Sequence, residues 1–448
     1  MIGVGFMRVK KILPPLWFTW LVLCLPIALL GHIVWLCGIN VVYMDDFEPI
    51  ADYIKMIASG SIDWSALVAQ HNEHRIVFPR IFMHLIASFT NYNTKAFMMF
   101  SVGLLGIGYL IFVRSTIAKT FKEFTLADSF WSVFVGLCLF NFCQQENLLW
   151  GFQIAWFLIE FCVISGVAAL DLYIKTNNRK WLITSIVLGI VSSFSSLHGL
   201  AIWPCYTVVV GLSQIDKRKF SGYIFIWLIL SAVLVYGLYF TGYHAIANHS
   251  SAKASSFRDI FEFFFINLGS VLAWDGSEFW RFVAGLSEFV LTLILGLRLL
   301  IKREINNNLT ALGVIIFSFG ISLMLGIGRS GWTMPSRYMT FPLLAVIGNL
   351  AILHNLFSVK GLTRWLAQGA SVILVFACLY VSQNSLANYH KVQRFRVFTA
   401  LNLVNYKNMP LQNLRVLYPF KTHEEALKRI GEIEKHNLST FYDLKGTN

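Results

Sequence analysis

Apolar runs separated by short polar, mostly basic connections occupy most of this chain. The runs fall near 16–42, 95–117, 128–144, 148–174, 181–197, 199–214, 221–242, 281–301, 309–327, 337–357 and 365–384. That makes about 11 segments, each close to the length that crosses a hydrocarbon core as a helix. The runs are continuous and do not alternate with period two, which predicts helices and excludes a membrane β-barrel. The first run lacks a small-residue cleavage site and is expected to remain as a span. Two shorter apolar stretches break the series. Ile76–Thr90 is interrupted by Pro79, Arg80 and His84, and is read as a juxtamembrane helix lying in the interface. Ile260–Trp274 is read as re-entrant or interfacial.

With those two set aside, every basic cluster falls on one side. The clusters are Arg8/Lys10/Lys11, Arg114/Lys119/Lys122, Lys175/Arg179/Lys180, Lys217/Arg218/Lys219, Arg298/Lys302/Arg303 and Lys360/Arg364. The positive-inside rule makes that side cytoplasmic. The opposite side then receives Asp45/Asp46, His71–Arg75, Gln144–Asn147, His198, Asp275/Glu278, Arg329 and Arg337.

Composition agrees with this pattern: 56% of the 448 residues are hydrophobic and 13% charged, with a mean hydropathy of +0.63. No soluble domain of this size has that balance. A net charge of +13 could signal nucleic acid, but the basic residues are dispersed between spans, so no nucleic-acid partner is expected. All seven cysteines lie in apolar segments with no CxxC pair, giving neither a disulfide frame nor a zinc site. From Asn384 the chain turns polar, with an amphipathic helix expected at His423–His436. The division is therefore a membrane domain, 1–384, with the outer loop 43–95 carrying the chemistry, and a small extracytoplasmic C-terminal domain, 385–448.

The candidate chemistry sits on the outer side. Asp45 and Asp46 directly follow the first span, where a carboxylate can serve as general base or as a ligand for a divalent ion. Glu73 is a further acid candidate. His71, Glu73, His74 and Arg75 suit a phosphate or a sugar hydroxyl, while the His spacing is weak support for a metal. Glu146, Trp150 and Gln153 combine an acid, an aromatic face and an amide, as sugar contacts do. His198 closes a serine-rich turn. Arg329, Arg337 and Tyr338 bracket a late outer loop, and guanidinium forks suit a lipid-linked phosphate.

Taken in order along the chain, Asp45-Asp46-Phe47, Asn72-Glu73-His74-Arg75, Trp150-Gly151-Phe152-Gln153 and Ser336-Arg337-Tyr338 resemble the GT-C superfamily of membrane glycosyltransferases, and more narrowly bacterial O-antigen glucosyltransferases. The resemblance spans roughly residues 1–385. It implies a polyprenyl-phosphate sugar donor, an acceptor glycan, and an active site on the periplasmic face of the bacterial inner membrane. It further implies catalysis by Asp45, Asp46 or Glu73, donor phosphate at Arg329, Arg337, Arg75 and Tyr338, and acceptor or sugar contacts at His71, His74, Glu146, Trp150, Gln153 and His198. A transporter or flippase for lipid-linked glycans, or a polymerase, would share the charged outer loops and is the alternative.

Overall fold

The computed structural model of the protein describes residues 13–117, 120–217, 222–244, 253–273, 277–331 and 334–445. Among these the chain is almost entirely helical, with one two-stranded ribbon. Among the described residues nine helices are long and apolar enough to cross a membrane: Leu16–Cys37, Thr94–Thr116, Leu126–Leu148, Gly151–Thr176, Gly222–Phe240, Glu278–Lys302, Leu309–Arg329, Ser336–Ser358 and Leu362–Val404, the last interrupted at Asn388 between Leu362–Ala387 and Tyr389–Val404. Two more expected spans are helices of 15 and 16 residues, Arg179–Ser193 and Ile202–Lys217. The basic cluster Arg8/Lys10/Lys11, together with Lys119, Arg218, Lys219, Trp274 and Asp275, lies outside the described residues.

The helices expose apolar faces that no protein surface covers. Leu21, Leu25 and Leu29 stand four residues apart on the first helix and are 63%, 60% and 49% exposed. A stripe of that kind is stable only against lipid. The protein is a multi-pass, all-α membrane protein.

The segment after the first helix folds at one end of the bundle. It comprises a short turn Met44–Asp46, a helix Phe47–Ser59, a one-turn helix Trp64–Val68, strands Gln70–His71 and His74–Arg75, and a helix Val77–Thr90. Phe47, Ile50, Tyr53 and Ile54 recur at helical spacing and form the buried face of Phe47–Ser59. Gly60, at φ 66°, ends that helix in the left-handed conformation that glycine adopts without penalty. The expected juxtamembrane helix is present at Val77–Thr90. The residues before it form a tight hairpin, which pairs Gln70 with Arg75 and His71 with His74. Asn72, at φ 48°, supplies its left-handed corner. The second set-aside stretch is also helical, at Phe257–Gly269.

The expected amphipathic helix is found at His423–Lys435, capped by Thr422 donating no proton but accepting one from the Glu425 amide. Its apolar face is buried against the first outer segment. Phe47, Ile50, Tyr53, Tyr92 and Trp150 share one cluster with Leu403, Leu414, Leu417, Phe420, Ile430, Ile433 and Phe441. Hydrogen bonds stitch the two segments together. The Met44 amide donates to the Leu417 carbonyl at 2.6 Å, the Ser439 amide to the Asn91 carbonyl at 2.8 Å, and the Thr440 hydroxyl to the Asn40 carbonyl at 2.6 Å. The C-terminal segment and the loop 43–95 thus build one cap.

Candidate functional site

Under that cap lies a cavity of about 660 Å³, open at one side. Nearly all the charged outer residues singled out in the sequence converge on it: Asp45, His71, Glu73, His74, Glu146, Trp150, Gln153, His198, Arg329, Arg337 and Tyr338 all contribute to its wall.

The acid end is built on a strained turn. Met44 has φ 47°, a left-handed conformation that costs a non-glycine residue about 1–2 kcal/mol. The hydrogen bond from its amide to the Leu417 carbonyl holds it there. As a result, the adjacent carboxylates point in different directions. Asp45 lines the cavity with its side chain 38% exposed. Asp46 is fully buried, with Oδ2 accepting from Trp150 Nε1 at 3.0 Å and from the Tyr43 amide at 3.2 Å. Asp46 does not line the cavity; it ties the turn to Trp150.

Asp45 has a second layer behind it. His71, 2% exposed, stands with Nε2 3.7 Å from Asp45 Oδ1 and Nδ1 2.6 Å from Glu48 Oε2. Asn72 Nδ2 lies 3.4 Å from His71 Nε2, so that one ring nitrogen faces Glu48 and the other faces Asp45 and Asn72. The His71 hydrogen bond holds the Glu48 carboxyl below its ordinary range despite its burial. Burial raises the Asp45 carboxyl above the usual aspartate value, and His71 and Arg337 oppose that rise. A carboxylate with a raised pKa is a stronger base than free aspartate.

Burial pushes the Asp46 carboxyl up to about 7. Because the folded value lies above the unfolded one, this contribution to stability is present below about pH 4 and is lost as pH rises through about 7. Asp46→Asn keeps the shape and can accept both hydrogen bonds, but it does not titrate. Its melting temperature should vary less than that of wild type between about pH 4 and about pH 8. Parallel profiles would show that this carboxyl is not the titrating group.

Two arginines line the cavity in ion pairs. Arg337 Nη1 lies 2.7 Å from Glu146 Oε1. Its turn, Ser336–Met339, is fixed by Asn147 Nδ2, which donates to the Arg337 carbonyl at 2.8 Å and to Thr340 Oγ1 at 2.7 Å. Arg329 pairs with Glu73 at the hairpin corner. Glu73 also faces His74 Nε2 at 3.8 Å, while His74 Nδ1 accepts from the Leu197 amide at 3.3 Å.

Aromatic rings form the floor. Trp156 stacks on Phe341 at 5.0 Å and on Tyr338 at 6.2 Å, and lies 5.0 Å from the His198 ring. His198 is held in its turn by Ser196 Oγ, 3.2 Å from Nδ1. Burial, helped by His74, holds His198 down to about 3, so it is a neutral hydrogen-bonding group here. Gly199 follows it because a Cβ there would collide with the Ser192 carbonyl. Gly151, next to Trp150, is needed for the same reason: a Cβ would sit 2.9 Å from the Thr94 carbonyl.

Arg75 is placed elsewhere. Its guanidinium donates to the carbonyls of Val68, Tyr239 and Thr241 at 2.7, 2.6 and 2.5 Å, so it anchors the hairpin to a membrane helix and does not line the cavity. Tyr43, Trp156, Lys391 and Arg396 are among the wall residues that escaped the sequence reading. Tyr43 directly follows one apolar run and Trp156 lies inside another, where an aromatic residue gives no signal of its own. Lys391 and Arg396 belong to the polar tail, where a cation is unremarkable. Among the described residues, no three His, Cys, Asp or Glu side chains stand close enough to hold a metal ion.

No protein-family model matches the chain, and no match is found among curated proteins. Among solved structures, the crystal structure of ArnT from Cupriavidus metallidurans bound to undecaprenyl phosphate matches over 96% of this chain and 78% of that one, with 14% identity and a TM-score of 0.45. The site's own geometry carries the functional reading.

Proposed function

We propose that the protein is a GT-C-type membrane glycosyltransferase. It moves a sugar from a polyprenyl-phosphate donor to a hydroxyl of a glycan, such as O-antigen, on the periplasmic face of the inner membrane. The observation that carries this reading is the cavity under the cap at the end of an apolar bundle, in which a carboxylate with a raised pKa faces cationic and aromatic walls. Such a cavity suits a donor with an anionic head, a lipid tail and a sugar ring.

In this reading Asp45 takes the proton of the acceptor hydroxyl. The hydroxyl oxygen attacks the anomeric carbon, the carbon–oxygen bond to the phosphate breaks, and the lipid phosphate leaves with the electron pair. A single displacement of this kind inverts the anomeric centre and needs one base. His71, itself held by Glu48, stands behind Asp45. Trp150 and Trp156 offer faces for the sugar ring, with Gln153, His74 and His198 as hydrogen-bonding groups. Arg329, Arg337 and Tyr338 orient the leaving phosphate, although each arginine is already matched by a carboxylate. Glu73 and Glu146 act here as partners of the arginines, and Asp46 as the support of the turn.

The reading is tested by incubating purified protein in sealed proteoliposomes with radiolabelled polyprenyl-phosphate sugars and a glycan acceptor. Label should move to the acceptor and free polyprenyl phosphate should appear in equal amount. Passage of intact labelled lipid across the bilayer, with no cleavage, would replace the transferase reading with a flippase. A second result concerns His71. Its charge lowers the Asp45 pKa, so His71→Gln should raise that pKa and move the acid limb of the pH–rate profile to higher pH. A rate loss with an unmoved limb would assign His71 to packing alone.

A further inference from the structure

The cavity's charges do not balance once its ion pairs are counted. Glu73 matches Arg329 and Glu146 matches Arg337. What remains on the wall is Asp45 on one side and two cations, Lys391 and Arg396, on the helix Tyr389–Val404 of the C-terminal segment; behind the wall the buried Asp46 carboxyl also acts on Arg396 but makes no hydrogen bond to it. Arg396 is 6% exposed, and its Nε and Nη1 have no hydrogen-bond partner. Its guanidinium carbon lies 3.9 Å from the centroid of the Tyr43 ring and 5.4 Å from that of Trp150. A guanidinium held by ring faces keeps its charge but leaves its N–H edges unused. Buried donors in that condition call for an acceptor that is absent from the protein itself.

We infer that Arg396, assisted by Lys391, binds the phosphate of the lipid-linked donor, so that the C-terminal segment completes the site. The inference rests on the proposed transferase reading and changes its phosphate assignment from the paired arginines to the tail. A phosphate brings the oxygens that Arg396 lacks and the charge that the paired arginines do not require. Val392 and Phe395 also line the cavity between the two cations, giving the first units of a polyprenyl chain an apolar surface. Lys391 is exposed at the rim, where it meets the headgroup without a desolvation penalty.

The test uses the full-length protein in nanodiscs, titrated with undecaprenyl phosphate and, separately, with inorganic phosphate. Native mass spectrometry reports binding. Arg396→Gln should weaken binding of the lipid phosphate about 10–100-fold, as loss of charge-assisted hydrogen bonds does. Lys391→Ala should weaken it several-fold, and Arg394→Ala, an exposed neighbour on the same helix, should leave it unchanged. If Arg396→Gln does not fold, Lys391→Ala decides, since that side chain is exposed. Binding by wild type with no loss in Arg396→Gln or Lys391→Ala overturns the inference and leaves the transferase reading standing. Inorganic phosphate bound as tightly as the lipid overturns the lipid assignment. Failure of wild type to bind either probe removes the inference and the transferase reading together.

Discussion

Asp45→Asn is expected to abolish sugar transfer while protein level and donor binding stay near wild type. The amide has the same shape but no useful basicity, and loss of a general base costs about 10²–10⁴-fold in rate. Asp45 is the acid that reaches the cavity, has a raised pKa and is backed by His71 and Glu48. Asp46→Asn should lose much less activity, because Asp46 acts through Trp150 and the Tyr43 amide. Initial rates of label transfer for the two variants decide between them. Wild-type rates in both would remove the carboxylate mechanism and make Glu73 or Glu146 the next acid to test.

Deletion of residues 409–448 should also abolish transfer, although it leaves every candidate catalytic and binding side chain in place. The deletion strips Leu414, Leu417, Phe420, Ile430, Ile433 and Phe441 from the core shared with the first outer segment. Fully burying one such side chain contributes about 1.5–3 kcal/mol. Losing six is comparable to the whole stability of a domain, about 5–15 kcal/mol. It also removes the Leu417 carbonyl that holds Met44 in its left-handed conformation and so directs Asp45 inward. Proteolysis of the membrane-embedded protein should therefore cut within residues 43–95 in the deletion variant and not in wild type. A truncated protein with full transfer activity and a protected loop would show that the loop folds without the tail.

The membrane helices and most of the wall could be read from the sequence because a charge beside an apolar run stands out. Asp45, Arg329 and Arg337 were visible for that reason. The division of labour between Asp45 and Asp46 was not, since it depends on the backbone of Met44, which the distant Leu417 fixes. The hairpin at His71–Arg75 was missed because strands of two residues are too short to show a period. Arg75 and Arg80 look alike in sequence to a phosphate-binding arginine, yet both donate to carbonyls. The largest omission was the tail. Its apolar face pairs with residues hundreds of positions earlier, and neither half reveals its partner locally. Arg396 and Lys391 therefore remained hidden until the fold brought them to the cavity.

The most direct test of the account is mass spectrometry of surface glycans from cells that lack this protein and carry either the wild-type chain or Asp45→Asn. The account predicts an added sugar on the glycan with the wild type only, at equal protein levels. Identical glycans in the two strains would contradict it.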